Sequence, residues 1–326
     1  MVKKRNQAIQ ILRVVACIMV FFVHFGQRLS ITGTIGSLFD FGKYGVQLFF
    51  LISGFLAAKT FKENKKVNIK EYYIKRAITL LPLYYFVILI YFILENICNN
   101  YMDTIPIDNT GLYWFRYIFL LNGFINSDTY FWSNLGITWT IPIFAFFYLM
   151  APFILKKVKN FSSSIVCYIS IFGISRVLNY IYECNIFTYI HYLFLGVLLY
   201  YSIKEKKEVI TSLVFLVLCL VAGIFLKIEW LYVFVFCSII LLLSKVKFKL
   251  PKFLEKIINV LDKYSYTLYL GHGVIFCGIL DKLILFGTSR IIILLIAIFG
   301  TCLFTFIVGK YIEKPMQRIL SKKLLD

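Results

Sequence analysis

The sequence has few acidic residues and very little histidine. Asp and Glu number 16 against 35 Lys and Arg in 326 residues, with three His, six Pro and eight Cys. There is no C-x-x-C pair and no His/Cys cluster, so nothing in the sequence indicates a metal site. Long polar segments are also missing, because 60% of the residues are apolar. This composition excludes an ordinary soluble enzyme and indicates a polytopic helical membrane protein.

The apolar segments predict ten membrane-spanning helices in an all-α fold, with the chain 1–326 forming a single transmembrane domain. Each is close to the roughly 20 residues needed to cross a bilayer. The predicted spans are 9–27, 42–61, 78–98, 136–156, 162–182, 187–203, 209–226, 229–245, 264–284 and 289–312.

The positive charges predict the orientation of the chain. One arrangement of the ten spans places 27 of the 35 Lys and Arg on the same side. This is the positive-inside pattern, so we expect both termini to be cytoplasmic and the protein to be a multi-pass component of the bacterial cytoplasmic membrane. The same pattern accounts for the net charge of +19 without a nucleic-acid partner.

The first span contains one Arg and ends in one His. Arg13 and His24 are eleven residues apart, which returns an α-helix almost to the same face, and the separation along the axis is roughly 16 Å. Charged side chains at this depth usually face a bundle interior or a cavity. Because His24 is the only group on that face that exchanges a proton near neutral pH, it is the natural general base of a site there.

Further motifs follow in a fixed order along the chain. The whole set resembles the acyltransferase-3 family of membrane O-acyltransferases. The motifs are Arg13-x10-His24, Gly42-Lys-Tyr-Gly-Val-Gln-Leu-Phe-Phe-Leu-Ile-Ser-Gly54-Phe, Tyr73-Ile-Lys-Arg76 with Pro82, Trp139-Thr140 with Tyr148 and Pro152, Tyr264-Ser-Tyr-Thr-Leu-Tyr-Leu-Gly-His272, and Glu313-Lys-Pro315.

The resemblance implies an O-acetyltransferase that uses acetyl-CoA, or another acyl-CoA, as co-substrate and requires no metal. Lys75 and Arg76 match the paired basic residues of the family, and a bidentate guanidinium suits coenzyme A phosphates. Trp139, Tyr148 and His272 are expected to bind the acceptor, a carbohydrate of the cell surface or its lipid-linked precursor.

The sequence departs from the commonest family pattern at one position. Many members have Trp-Ser-Leu-Ser-Val-Glu where this chain has Trp139-Thr-Ile-Pro-Ile-Phe144, so Phe144 occupies the acidic position. No role for that carboxylate carries over. Some polysaccharide-modifying relatives share the departure, which favours a polysaccharide acceptor.

Several points stay open at the level of sequence. His24 acts either as a base in one direct transfer or as a nucleophile that forms an acyl-imidazole, and Ser53 is an alternative nucleophile, although a Ser-Gly pair more often serves close helix packing. Asp40 and Asp128 are the nearest acidic residues to orient His24. His191 is expected to be a structural, hydrogen-bonded histidine.

A transporter or flippase for a polysaccharide precursor or small anion is the competing function. Ten helices with intramembrane Arg and His would allow it. The sequence has neither an internal repeat nor a matched pair of broken helices in its two halves, which favours the acyltransferase.

Overall fold

The structure is a computed structural model. It describes residues 6–63, 68–94, 111–124, 136–225, 228–244, 246 and 250–325, and this part of the chain contains helices and no β-strand. The helices are α1 (Gln7–Arg28), α2 (Gly33–Asp40), α3 (Gly45–Glu63), α4 (Ile69–Phe92), α5 (Gly111–Ile118), α6 (Thr140–Leu155), α7 (Phe161–Tyr182), α8 (Asn185–Lys204), α9 (Glu208–Phe225), α10 (Ile228–Leu243), α11 (Lys252–Lys263), α12 (Ser265–Ile275), α13 (Asp281–Leu285), α14 (Arg290–Val308) and α15 (Lys314–Leu325).

The lengths and composition of these helices confirm a polytopic membrane protein. Eight stretches of the described residues are long and apolar enough to cross a membrane: Gln7–Arg28, Gly33–Glu63, Ile69–Phe92, Gly136–Leu155, Phe161–Tyr182, Asn185–Lys204, Ser265–Leu285 and Arg290–Leu325. Two shorter apolar helices, Glu208–Leu218 and Glu229–Leu243, lie where the sequence predicts the seventh and eighth spans. The number of crossings and the side on which the termini lie stay predictions.

Helices α3 and α8 touch through their backbones. A β-carbon on Gly54 would lie 1.7 Å from the carbonyl oxygen of Leu193, and one on Gly196 would lie 2.1 Å from the carbonyl oxygen of Leu51. Small residues let membrane helices approach this closely. The motif Ser53-Gly54 therefore sits at a helix crossing in the buried core, in agreement with the packing role considered for it.

The Arg13 face of α1 packs against α12. Cys17 Sγ lies 3.5 Å from the carbonyl oxygen of Ser265, at the start of α12, and Val20 shares a buried cluster with Tyr269. One turn further, the ring of His24 lies against His272. From Cys17 to His24, the predicted stripe therefore lies against α12.

Helix α11 lies between the eighth and ninth predicted spans, where the apolar segments predict no helix. Its polar side faces α1: Gln7 Nε2 donates to Glu255 Oε1 at 3.0 Å, and Gln10 Nε2 donates to Asn259 Oδ1 at 3.0 Å. Its opposite side is apolar and faces away from the protein, with Phe253, Leu254, Ile257 and Val260 exposed. The periodicity of those apolar residues is the signal that would have revealed the helix.

Candidate active site

Arg13 is held at the junction of α11 and α12. Its Nη1 donates to Asp262 Oδ1 at 2.9 Å and its Nη2 donates to Ser265 Oγ at 3.0 Å. The Asp262 side chain is 1% exposed, whereas that of Arg13 is 25% exposed. An ionised carboxylate buried this deeply requires a paired cation, so the pair fixes the guanidinium while leaving part of it accessible.

A cavity of about 120 Å³ opens beside Arg13. This volume is several times the roughly 10–15 Å³ that a cavity needs to hold one water molecule. Its wall brings both predicted arginines together with Tyr148 and Ser53. The lining residues are Arg13, Val46, Phe49, Phe50, Ser53, Arg76, Thr79, Leu80, Thr140, Ile141, Phe144, Tyr148, Tyr266 and Tyr269.

Arg76 lies on this wall without a carboxylate partner. Its guanidinium carbon is 4.6 Å from the centroid of the Tyr148 ring and 5.3 Å from that of Tyr72. Within the described ranges, no Asp or Glu forms an ion pair with it. The cation is therefore held by two aromatic faces, and its planar fork remains able to bind an anion that enters the cavity.

Four predicted site residues lie outside this cavity: Lys75, Trp139, His24 and His272. Lys75 is 59% exposed and forms an ion pair with Glu71, one turn away on α4. Consecutive helical residues point about 100° apart, so Lys75 and Arg76 do not face the same space. Trp139 packs behind the lining residue Phe50, with ring centroids 6.3 Å apart, and against Tyr189 at 4.7 Å.

His24 and His272 form a stacked pair. Their ring centroids are 5.4 Å apart with an interplanar angle of 19°. His24 Nδ1 lies 3.2 Å from Gln27 Oε1. An amide oxygen can only accept, so a neutral His24 donates to it from Nδ1 and has its lone pair on Nε2. His272 is 1% exposed, and its Nε2 has no hydrogen-bond partner among the described residues.

Tyr269 connects the histidine pair to the cavity, whose lining includes neither histidine. Its ring centroid is 5.8 Å from that of His272, and its ring also lines the cavity. The Tyr269 hydroxyl donates to the carbonyl oxygen of Ile137 at 2.9 Å and accepts from Thr140 Oγ1 at 3.1 Å. The aromatic ring is thus fixed at the boundary between two arginines on one side and two imidazoles on the other.

Comparison with known families identifies the general class of the protein. A family model described as an acyltransferase domain matches residues 6–310. The chain belongs to the acyltransferase-3 family. The resemblance carried by the sequence motifs is thereby confirmed. No significant match was found among curated proteins or among solved structures.

In this acyltransferase the polar partner of His24 is an amide and not a carboxylate. The His24 ring bonds to Gln27, and within the described part of the chain neither Asp40 nor any other carboxylate bonds to that ring. Asp40 is exposed, and Asp128 lies outside the described residues. The hydrogen-bonding residue is only three positions from His24, a spacing typical of side chains that meet on a helix.

A partly buried ion pair lies one turn beyond His24. Arg28 pairs with Asp281, and its Nη2 lies 3.0 Å from Cys277 Sγ. The segment Phe276–Leu280 between α12 and α13 is a π-helix, a local widening that is common near functional sites. The acyltransferase therefore carries a fixed, neutralised pair beside the two imidazoles.

The expectation for His191 was wrong. This histidine is completely buried in α8, but neither Nδ1 nor Nε2 has a hydrogen-bond partner among the described residues. A structural histidine would normally have at least one bond at this burial.

Proposed function

We propose that this acyltransferase moves an acyl group, most simply acetyl, from acyl-CoA to a hydroxyl of a cell-surface polysaccharide or its lipid-linked precursor. The observation that carries the proposal is the cavity that joins Arg13 and Arg76 through apolar walls. A donor made of phosphates, a flexible arm and a thioester matches a cavity with cations at its wall and aromatic and aliphatic side chains around them.

The two arginines have different tasks in this proposal. Arg76, whose guanidinium lies over the rings of Tyr148 and Tyr72, supplies the bidentate fork for a donor phosphate. The charge of Arg13 is already balanced by Asp262. In this proposal Arg13 therefore donates a hydrogen bond to a polar group of acyl-CoA and does not bind its phosphates. The Tyr148 ring lies against Arg76. In this proposal Tyr148 therefore contacts acyl-CoA, whereas the sequence motif predicts that it binds the acceptor.

The histidine pair supplies the proton chemistry. His24 Nε2 takes the proton of the acceptor hydroxyl as its oxygen attacks the thioester carbonyl carbon. The C–S bond then breaks, the thiolate of coenzyme A leaves, and His24 returns the proton to it. His272 is stacked on His24, and its buried Nε2 has no hydrogen-bond partner among the described residues; in this proposal that nitrogen bonds the acceptor.

The predicted orientation of the chain gives the proposed reaction a direction. With the N-terminus inside, Arg13 lies nearer the cytoplasm than His24, so acyl-CoA enters from the cytoplasm and the thioester reaches past Tyr269. The acceptor then approaches the histidine pair from deeper in the membrane or from the outer side. Phe144 lines the cavity where other members carry an acid, in keeping with the polysaccharide-modifying branch.

Reconstituted proteoliposomes test the proposal. Labelled acetyl-CoA is supplied on one face and a panel of glycans on the other, and both coenzyme A release and label incorporation are measured. Wild-type protein should release coenzyme A in step with acceptor modification. His24→Ala should abolish both while leaving expression and detergent stability nearly intact, because this half-buried side chain contributes little to packing. Lys75→Ala, outside the cavity, is the matched control and should retain activity.

Two results would overturn parts of this reading. Wild-type rates in His24→Ala would exclude the proposed base. An absence of acceptor-dependent coenzyme A release from wild-type protein across the glycan panel would favour the transporter instead.

A further inference from the structure

The helical hairpin of α7 and α8 contains a second polar cluster that the proposed reaction does not use. His191, on α8, is 0% exposed, and both of its ring nitrogens lack hydrogen-bond partners among the described residues. Its ring is enclosed by three aromatic rings, those of Phe172, Tyr192 and Trp230, at centroid distances of 5.2, 4.0 and 5.5 Å.

Arg176 belongs to the same cluster. Its guanidinium carbon lies 5.6 Å from the centroid of Phe172, the ring that also contacts His191. Its Nη2 donates to the carbonyl oxygen of Thr188 at 2.8 Å, but its Nε is buried and has no hydrogen-bond partner in the part of the chain that the structure describes. Three buried nitrogens without hydrogen bonds, two on His191 and one on Arg176, thus flank one aromatic ring.

Simple packing does not explain this arrangement. An apolar residue at position 191 would fill the same space without removing two polar nitrogens from water, and unsatisfied buried polar groups are rare enough to require an explanation. Arg176 is equally unusual, since intramembrane arginines normally pair with an acid or a ligand. In the described part of the chain, no carboxylate forms an ion pair with it.

The surroundings indicate how a ligand would approach. Arg176 lies six residues before the end of α7, or about 9 Å along the axis, which is a depth that lipid headgroups reach. The neighbouring α7 surface is apolar and exposed at Ile174, Val177 and Ile181. A β-carbon on Gly173 would meet nothing within 4 Å. The helix therefore presents an open apolar surface beside a partly buried cation.

We propose that the Arg176–His191 cluster binds the phosphate of an anionic membrane lipid whose acyl chains lie along α7. The Nε–H of Arg176 and one N–H of His191 donate to phosphate oxygens, and Phe172 and Trp230 shield the site from water. The function goes beyond acyl transfer: lipid binding requires neither a donor nor turnover.

Native mass spectrometry with added lipid tests this site. Purified protein in detergent is titrated with phosphatidylglycerol and, separately, with a diacylglycerol that has the same chains but no phosphate. Wild-type protein should retain phosphatidylglycerol and not diacylglycerol. Arg176→Gln and His191→Phe should each weaken retention roughly tenfold, the loss expected for one charge-assisted hydrogen bond. Arg290→Gln, an exposed cation at the start of α14, should bind as wild type does.

The outcomes separate the possibilities. Equal phosphatidylglycerol retention by wild type, Arg176→Gln and His191→Phe would overturn the proposal. Heat protection of wild type by inorganic phosphate, equal to that by the lipid, would overturn the assignment to a lipid. If His191→Phe does not fold, Arg176→Lys takes its place: it keeps the charge but lacks Nε–H, and full retention by this variant would likewise overturn the proposal. None of these measurements needs acetyl-CoA, so they fail or succeed independently of the proposed reaction.

Discussion

Replacing Gly54 with alanine tests the close crossing of α3 and α8. The added β-carbon would lie 1.7 Å from the Leu193 carbonyl oxygen, which is 1.7 Å short of the 3.4 Å at which ordinary contact begins. The obstacle is backbone, so no side-chain rotation relieves it and the two helices must move apart. Overpacking typically costs 1–3 kcal/mol. We expect about 3 kcal/mol here, at the upper end of that range.

The same chain offers a matched control in Gly173→Ala. Its new β-carbon would meet nothing within 4 Å, and alanine favours a helix over glycine by about 1 kcal/mol. Thermal unfolding in detergent, followed by size-exclusion chromatography, should show a clearly lower melting temperature for Gly54→Ala and an equal or higher one for Gly173→Ala. The acyl-transfer rate should fall only in Gly54→Ala, because the neighbouring Ser53 lines the cavity. Equal melting temperatures for wild type and Gly54→Ala would refute the backbone contact.

Three further predictions concern the site and the orientation. Asp262→Asn should lower the free energy of unfolding by about 2 kcal/mol, which is less than for a fully buried pair because Arg13 is partly exposed. The same change should raise the KM for acyl-CoA, and an unchanged melting temperature would contradict the ion pair. Arg76→Lys keeps the charge but loses the fork, so acyl-CoA binding measured by calorimetry should weaken by roughly 1–3 kcal/mol, and unchanged affinity would remove Arg76 from the donor site. A cysteine at Lys70 should resist an impermeant thiol reagent on intact cells, whereas one at Phe286 should react; the reverse labelling would invert the proposed topology.

Local periodicity predicted the part of the site that lies on one helix. The eleven-residue spacing of Arg13 and His24 placed them on one face of α1, and the structure sets that face against α12. Asp262, which pairs with Arg13, is 249 positions away in sequence, and helical periodicity carries no information about such a partner. Gln27 lies three positions after His24, so helical periodicity does place it beside the imidazole. Its amide, however, does not mark it as a partner in the way that a carboxylate would.

Neighbouring positions in a motif do not share one direction on a helix. The family resemblance pairs Lys75 with Arg76, but consecutive helical residues face different directions and only Arg76 lines the cavity. The charged segment around Asp262 predicts no membrane span, although its apolar residues have helical spacing. The sequence predicts a hydrogen-bonded His191, but a sequence does not show whether a ring nitrogen has a partner.

Helix α11 makes the position of Arg13 dependent on the surrounding bilayer. Its polar side holds α1 through Glu255, Asn259 and Asp262, while its opposite side has no protein covering among the described residues and presents Phe253 at 72% exposure. Lipid at the membrane interface is the natural cover for that apolar side. When detergent replaces the bilayer, α11 loses the support that presses it onto α1, and the Arg13–Asp262 pair loosens with it. The affinity for acyl-CoA should therefore vary with membrane thickness and with detergent chain length, although α11 does not line the cavity.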